Sequence, residues 1–249
     1  MTNITKINYY KTNGFIKVRG IFSKNEIISL KKYVKEINNF KPTAGKWMIY
    51  YDRFKNKKYL TRTENFIDYH KKIKKILTKK KYYKIMSDLT DYKTVLFKDK
   101  INWKYPGAKG FEPHQDAQVW EKLYKKVKSF FSVTISVDKT DKLNGCLEVA
   151  PKVQNLGLLG TNKSAISSTL VNKMKWKKIK TKPGDIIIFD AYTPHRSSGN
   201  KSTKPRRMIY LTYNSKKDGD LRKDYYKNKR ISFPPNNERR KGKKYKYLI

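Results

Sequence analysis

Residues 184–214 read GDIIIFDAYTPHRSSGNKSTKPRRMIYLTYN, and this stretch decides the fold. Its apolar run Ile186–Phe189 and the alternating run Met208–Tyr213 carry β-branched and aromatic residues, the composition of strands. The intervening Pro, Gly, Ser and Asn break both runs, so the pattern is strand, turn, polar loop, strand. One histidine, His195, sits where the first strand runs out, and two arginines, Arg206 and Arg207, open the second. Short runs of the same texture precede it: TVLFK from Thr94, FFSVTISV from Phe130 and CLEVA from Cys146. Such runs, divided by turn residues, predict an antiparallel sandwich or barrel.

Upstream of Thr94 the texture differs. Ser23 and Glu26 form a capping box, and Ile27, Leu30, Val34 and Ile37 then share one helical face. Segments 64–78 and 81–91 read as two further helices whose Lys runs face solvent. The expected layout is one domain over 1–249: a mostly helical layer over 1–92, a β core over 93–214 and a basic extension over 215–249, with irregular chain at Pro234-Pro235. The fold class is mainly β with flanking helices. No internal repeat or linker divides the 249 residues, a length suited to one core.

The charge is unusual: 60 Lys and Arg against 20 Asp and Glu, a net +40. A surface so basic attracts polyanions, nucleic acid included. An AT-rich coding bias, which inflates Lys, Asn, Ile and Tyr together, is the competing account. The charge is spread along the chain rather than gathered in a tail, which argues against a dedicated nucleic-acid arm. The first residues show no secretory pattern, no window spans a membrane, and a single cysteine excludes internal disulfides, so a soluble, cytoplasmic location is expected. Cys146 reads as core, and His70 as structural.

His114 and Asp116 form His-x-Asp within GFEPHQDAQVW. In extended chain, residues two apart point the same way and can converge on one ion. With His195 they make two imidazoles and a carboxylate, a donor set that suits non-haem Fe(II) and leaves coordination positions open. Arg206 follows His195 by eleven residues, an offset that predicts its place beside that histidine on the neighbouring strand, and it offers a guanidinium fork for a carboxylate. Strand alternation allows only one of Arg206 and Arg207 to face inward. Ser197 points the same way as His195.

These motifs resemble those of the phytanoyl-CoA dioxygenase family of Fe(II)- and 2-oxoglutarate-dependent oxygenases. The resemblance extends through NGFIKVRGIFSKNEI, RTENFIDYH, LFKDKINWKYPGAKGFEPHQD, NGCLEVAP and PGDIIIFDAYTPHRS. It implies a double-stranded β-helix, jelly-roll and cupin-like, with His114, Asp116 and His195 as catalytic iron ligands. It also implies that Arg206 binds 2-oxoglutarate, assisted by Ser197 and Asn102, and that O2 is the oxidant. The implied reaction is hydroxylation of a C–H bond of a small polar or anionic substrate. One departure stands out: the family often continues VAP with Gly-Ser-His, where this chain has Lys152-Val153-Gln154.

Gln118, Trp120 and Tyr192 are candidate substrate-lining residues, as is Arg230; Lys229 and Arg239 either close over the site or belong to the basic surface. The ending 219–245, together with PHQDAQ, is similar to a branch that includes phosphonate-hydroxylating oxygenases, which makes an aminoalkylphosphonate a candidate. Two other readings are a nucleic-acid dioxygenase and a non-catalytic binding protein on the same fold. Nucleobase-repair oxygenases carry two spaced arginines after the distal His, which PRRMIYLTYN lacks, and a binding protein is expected to lose a metal ligand.

Overall fold

The computed structural model describes residues 3–54, 57–124, 127, 129–161 and 164–245. In chain order the elements are α1 (Asn3–Asn13), β1 (Phe15–Val18), α2 (Lys24–Asn38), β2 (Met48–Phe54), β3 (Lys57–Glu64), α3 (Lys71–Leu77) and α4 (Lys80–Thr90). They continue with β4 (Thr94–Lys104), β5 (Phe111–His114), α5 (Ala117–Leu123), β6 (Phe130–Ser136), β7 (Leu147–Val149) and α6 (Ser168–Lys173). β8 (Lys177–Ile179), β9 (Ile186–Asp190), β10 (His195–Ser197), β11 (Arg206–Ser215) and α7 (Arg222–Ser232) complete the set.

Two antiparallel sheets face each other. The larger runs β1-β9-β6-β11-β4-β3-β2, the smaller β5-β10-β7-β8. This is the jelly-roll arrangement expected from the sequence. On the large sheet, Ile101, Trp103, Val133, Ile135, Ile186, Ile188, Ile209 and Leu211 face outward and are buried beneath α2, α3 and α4. The predicted capping box starts α2, with Ser23 and Glu26 exchanging backbone hydrogen bonds, and Leu30, Val34 and Ile37 are buried on its inner face. Ile27 is only partly buried, at the edge of the same cluster.

Alternation sends the other residues of these strands between the sheets. On the β1 side they are apolar: Phe15, Leu147, Val149, Ile179, Ile187 and Phe189. Toward β4 they become polar and charged. The pairing of β4, β11 and β6 lines up Lys98 with Thr212 and Ser132, Lys100 with Tyr210 and Thr134, and Asn102 with Met208 and Ser136. Lys104 pairs with Arg206 at the end of the ladder.

The structure corrects the segment-level reading in three places. The first 92 residues are not a helical layer alone, because β1 joins the large sheet and the β2–β3 hairpin extends it. Segment 64–78 starts in strand β3, turns through a short 3-10 turn at Ile67–Tyr69, and is helical only from Lys71. The C-terminal extension contains helix α7, which rests on the sheet through buried Tyr225 and Tyr226; residues 246–249 lie outside the described residues. Lysines obscured the hairpin, since KNKKYLTRTE alternates too weakly in hydrophobicity to mark a strand.

Candidate metal centre

His114 closes β5 and His195 opens β10, paired directly across the small sheet with ring centroids 4.2 Å apart. Asp116 joins them, although not by strand alternation. Its backbone has already turned helical (φ −59°, ψ −34°), so the corner between β5 and α5 swings the carboxylate round. One ligand atom from each of the three residues lies within 4.8 Å of the others, and Asp116 Oδ1 is 3.9 Å from His195 Nε2.

Each side chain is held by a second partner. His114 Nδ1 donates to the Glu112 carbonyl at 2.6 Å and His195 Nδ1 to the Thr193 carbonyl at 3.1 Å, leaving both Nε2 atoms as acceptors for a cation. Ser132 Oγ donates to Asp116 Oδ2 at 2.5 Å and leaves Oδ1 toward the imidazoles. Burial, and then the neighbouring His195, pull the His114 imidazole down to about 3. Burial lowers that of His195 as well. Burial pushes the Asp116 carboxyl up, but its neighbours His195, Lys100, His114 and Lys98 outweigh it and hold it low. Neutral imidazoles and an ionised carboxylate are the protonation states that a divalent metal requires. The donor set and its convergence fit Fe(II).

Beside the triad is a buried cationic pocket. Arg206 is 1% exposed, and its Nε and Nη2 have no hydrogen-bond partner among the described residues. Arg207 faces the other way and is bound to Asp138 through Nε (2.8 Å) and Nη2 (2.7 Å). The choice left open between them thus resolves geometrically: Arg206 is the inward residue. It does not neighbour His195 on an adjacent strand, as its spacing suggested. β10 and β11 lie in different sheets, and Arg206 reaches the site across the gap between them.

Lys104, which sequence reasoning missed, ties the pocket together. Its ammonium donates to Ser197 Oγ at 2.8 Å and to the Ser198 carbonyl at 2.6 Å. Burial, and then the charge of Arg206, lower its pKa to about 7. Two cations buried side by side, one of them with two guanidinium nitrogens lacking partners among the described residues, fit a carboxylate ligand. The alternation Lys98, Lys100, Asn102, Lys104 was visible in the sequence, but the abundance of lysine hid it. Glycines permit the close packing here: a Cβ on Gly110 would stand 2.1 Å from the Ser197 carbonyl oxygen, and one on Gly145 2.1 Å from that of Ser198.

The other predicted residues divide. Asn102 is buried and lines a cavity of about 190 Å³ together with Tyr50, Arg62, Phe111, Phe233 and Arg239. The C-terminal segment therefore does reach over this side of the molecule. Trp120 packs among Phe97 and Phe130 with the Lys98 ammonium over its ring. Tyr192 packs at the edge of the same cluster, and its carbonyl accepts from Gln115. Gln118 is not disposed to meet a substrate: its amide binds the Thr161 and Ser164 carbonyls and the Gln115 backbone. Arg230 is likewise engaged, by Glu238 and the Lys46 carbonyl. Lys229 approaches the buried Glu64 at 3.7 Å.

His70 is structural, as expected. Its Nδ1 caps α3 at Ile73 and its Nε2 lies 2.9 Å from Glu36. In the loop that departs from VAP-Gly-Ser-His, Gln154 donates to the carbonyls of Lys11 and Thr12 and fastens the end of α1. Cys146 is buried, and burial raises its thiol pKa, so it is no thiolate nucleophile.

The family model for phytanoyl-CoA dioxygenase (PhyH) matches residues 10–208, four-fifths of the chain and every residue of this centre. The chain belongs to the phytanoyl-CoA dioxygenase family. A 2-aminoethylphosphonate dioxygenase from uncultured bacterium HF130_AEPn_1 is 37% identical over 239 residues, covering 95% of this chain and 90% of that protein. A methylphosphonate hydroxylase from Gimesia maris is 34% identical, covering 92% and 87%. Among solved structures, EctD from S. alaskensis with 2-oxoglutarate and 5-hydroxyectoine superposes with a TM-score of 0.76 at 17% identity, covering 86% of this chain and 76% of that one. That likeness is one of fold. This phytanoyl-CoA dioxygenase family member is an Fe(II)- and 2-oxoglutarate-dependent oxygenase that uses O2. No helix among its described residues is long and apolar enough to cross a membrane.

Proposed function

We propose that this oxygenase hydroxylates a C–H bond of a small organophosphonate, with iron held by His114, Asp116 and His195 and 2-oxoglutarate held by Arg206, Lys104 and Ser197. The observation that carries the site assignment is the buried Arg206 guanidinium, whose Nε and Nη2 lack hydrogen-bond partners among the described residues, within the same interior as the His-Asp-His cluster. The similarity to two phosphonate oxygenases over more than nine-tenths of the chain supports the substrate class.

Iron and 2-oxoglutarate, when bound, supply the oxidation: one atom of O2 enters the substrate C–H bond and the other enters succinate as CO2 leaves. The residues of this chain supply placement. Thr193 and Glu112 carbonyls fix the two imidazole tautomers, and Ser132 fixes the Asp116 rotamer. Arg206 and Lys104 together neutralise a carboxylate at the far end of the co-substrate, while Asn102 stands on the same inner face two residues before Lys104. A site whose lining is this strongly cationic selects small anions over fatty acyl chains.

The test is succinate formation with Fe(II), 2-oxoglutarate and a panel of methylphosphonate, 2-aminoethylphosphonate, amino acids and oligonucleotides. Stimulation by a phosphonate, with the hydroxylated product identified by mass and 31P NMR, is expected. Stimulation by oligonucleotides alone would instead assign the +40 charge to a nucleic-acid substrate.

A further inference from the structure

A second set of cations lies on the inner face of β4, two and three rows from Lys104. Lys98 is 8% exposed, and its ammonium has no hydrogen-bond acceptor or carboxylate within salt-bridge distance among the described residues. It rests between the faces of Trp120 and Tyr225, 5.7 and 5.5 Å from their centroids. Its row runs through Thr212 to Ser132, and Ser132 binds Asp116, so Lys98 shares the row that carries the metal-ligating carboxylate. One row on, Lys100 lies over the Tyr210 ring, and its charge bears on His114, Asp116 and His195 alike.

The nearby carboxylate, Glu64, is shared among several cations. It is fully buried and already 2.9 Å from Arg62 and 3.7 Å from Lys229. Burial pushes its carboxyl up, but Lys229, Arg62, Lys98 and Lys100 together bring it down to about 2, so it is ionised and outnumbered. A buried ammonium that donates no hydrogen bond among the described residues is under-compensated, and an anion bound beside it relieves that cost.

We propose that Lys98 and Lys100 form the subsite for the phosphonate head of the substrate, holding its C–H carbon against the metal triad. This rests on the phosphonate reading above and adds the anchor to it. The chemistry favours a phosphonate over a carboxylate. Two ammonium groups two residues apart on one strand suit the spread oxygens of a tetrahedral head, whereas the planar fork of Arg206 suits the two oxygens of a carboxylate. The co-substrate's carboxylate is drawn instead to Arg206 and Lys104, so the two anions sort to separate ends of β4. The aromatic faces of Trp120 and Tyr225 shield Lys98 from water and strengthen its hold.

Calorimetric titration of methylphosphonate into the oxygen-free protein loaded with Fe(II) and 2-oxoglutarate tests this, with acetate as comparator. Wild-type protein should bind methylphosphonate more tightly than acetate. K98M should weaken methylphosphonate binding by about tenfold to a hundredfold, the weight of a charge-assisted contact, and shrink the margin over acetate. K98R should restore part of it, and 2-oxoglutarate affinity should be unchanged in both. K98Q, checked by its melting curve, replaces K98M if the latter fails to fold. Folded K98M or K98Q with wild-type phosphonate affinity overturns the anchor while leaving the function intact. A wild-type protein that binds no phosphonate overturns the function proposed above and the subsite with it.

Discussion

Arg206 and Arg207 are adjacent in sequence and opposite in fate. Arg207 is consumed by Asp138, while Arg206 is buried with two nitrogens lacking partners. Replacing Arg206 with Ala should raise the Kd for 2-oxoglutarate by about tenfold or more, the weight of a charge-assisted contact. Arg207→Ala should leave it within about twofold, since that side chain faces away from the pocket and is bound to Asp138; equilibrium titration with 2-oxoglutarate compares the two. His114→Ala and Asp116→Ala should abolish stoichiometric iron binding, read by metal analysis after gel filtration, and with it co-substrate turnover. Lys104 adds a pH dependence. Its folded pKa of about 7 lies below the ordinary 10.5, so between those values the unfolded chain holds the extra proton. Its charge therefore costs stability below pH 7, and that cost is relieved as pH rises toward 10.5. A bound carboxylate reverses the preference by favouring the protonated form. The affinity for 2-oxoglutarate should then weaken as pH rises above about 7 with uptake of a proton on binding, and Lys104→Met should flatten both profiles. The groups facing Lys104 are Arg206 on β11, Ser197 on β10, Phe111 on β5 and the Cys146 thiol ahead of β7.

Among the elements, the β5–β10 pair and helix α7 decide how well the site is held. Gly110 lets the chain entering β5 pass against the Ser197 carbonyl; the methyl of Gly110→Ala, 2.1 Å from that oxygen, must push the strands apart. His114 and Ser197 ride on those strands, so iron and 2-oxoglutarate affinities should both fall while far-UV circular dichroism stays native. Helix α7 is clasped by Asp99. That buried carboxylate accepts from the Phe66 and Ile67 amides and the Tyr226 hydroxyl, and pairs with Arg222 at 2.5 Å. Asp99→Asn leaves Arg222 with Asp68 alone and should cost about 3 kcal/mol, the lower part of the range for breaking a buried pair. Urea denaturation measures it. Because α7 carries Tyr225 and Lys229, the phosphonate KM should rise more than the 2-oxoglutarate KM.

For the whole molecule, the +40 charge is the quantity that the metal centre does not require. Part of it is nevertheless inside: Lys98, Lys104 and Arg206 are buried within the jelly roll, and Lys100 lies between Lys98 and Lys104 in sequence. The rest repels itself across the surface. The melting temperature should therefore rise with salt, as the Debye length shrinks from about 30 Å at 0.01 M to about 8 Å at 0.15 M. A scan at the two ionic strengths checks this, and a fall in melting temperature with salt would refute it.

The amino-acid sequence alone pointed to an antiparallel β core and, through its family resemblance, to a jelly roll with His114, Asp116 and His195 as candidate metal ligands. The short β-branched and aromatic runs in 94–214, divided by turn residues, mark the strands, and only three histidines are available to pair with an acid. Three matters needed the tertiary structure. The corner that turns Asp116 toward the histidines is a backbone conformation that the His-x-Asp spacing does not specify. The β2–β3 hairpin is stabilised by pairing with β4, a contact that its own lysine-rich pattern does not announce. The cationic face of β4 is the last. In a chain with 60 basic residues a lysine means nothing until its surroundings are known. Burial between the sheets is what distinguishes Lys98 and Lys104 from those that only meet water, because desolvation makes an uncompensated charge costly and favours an anion beside it.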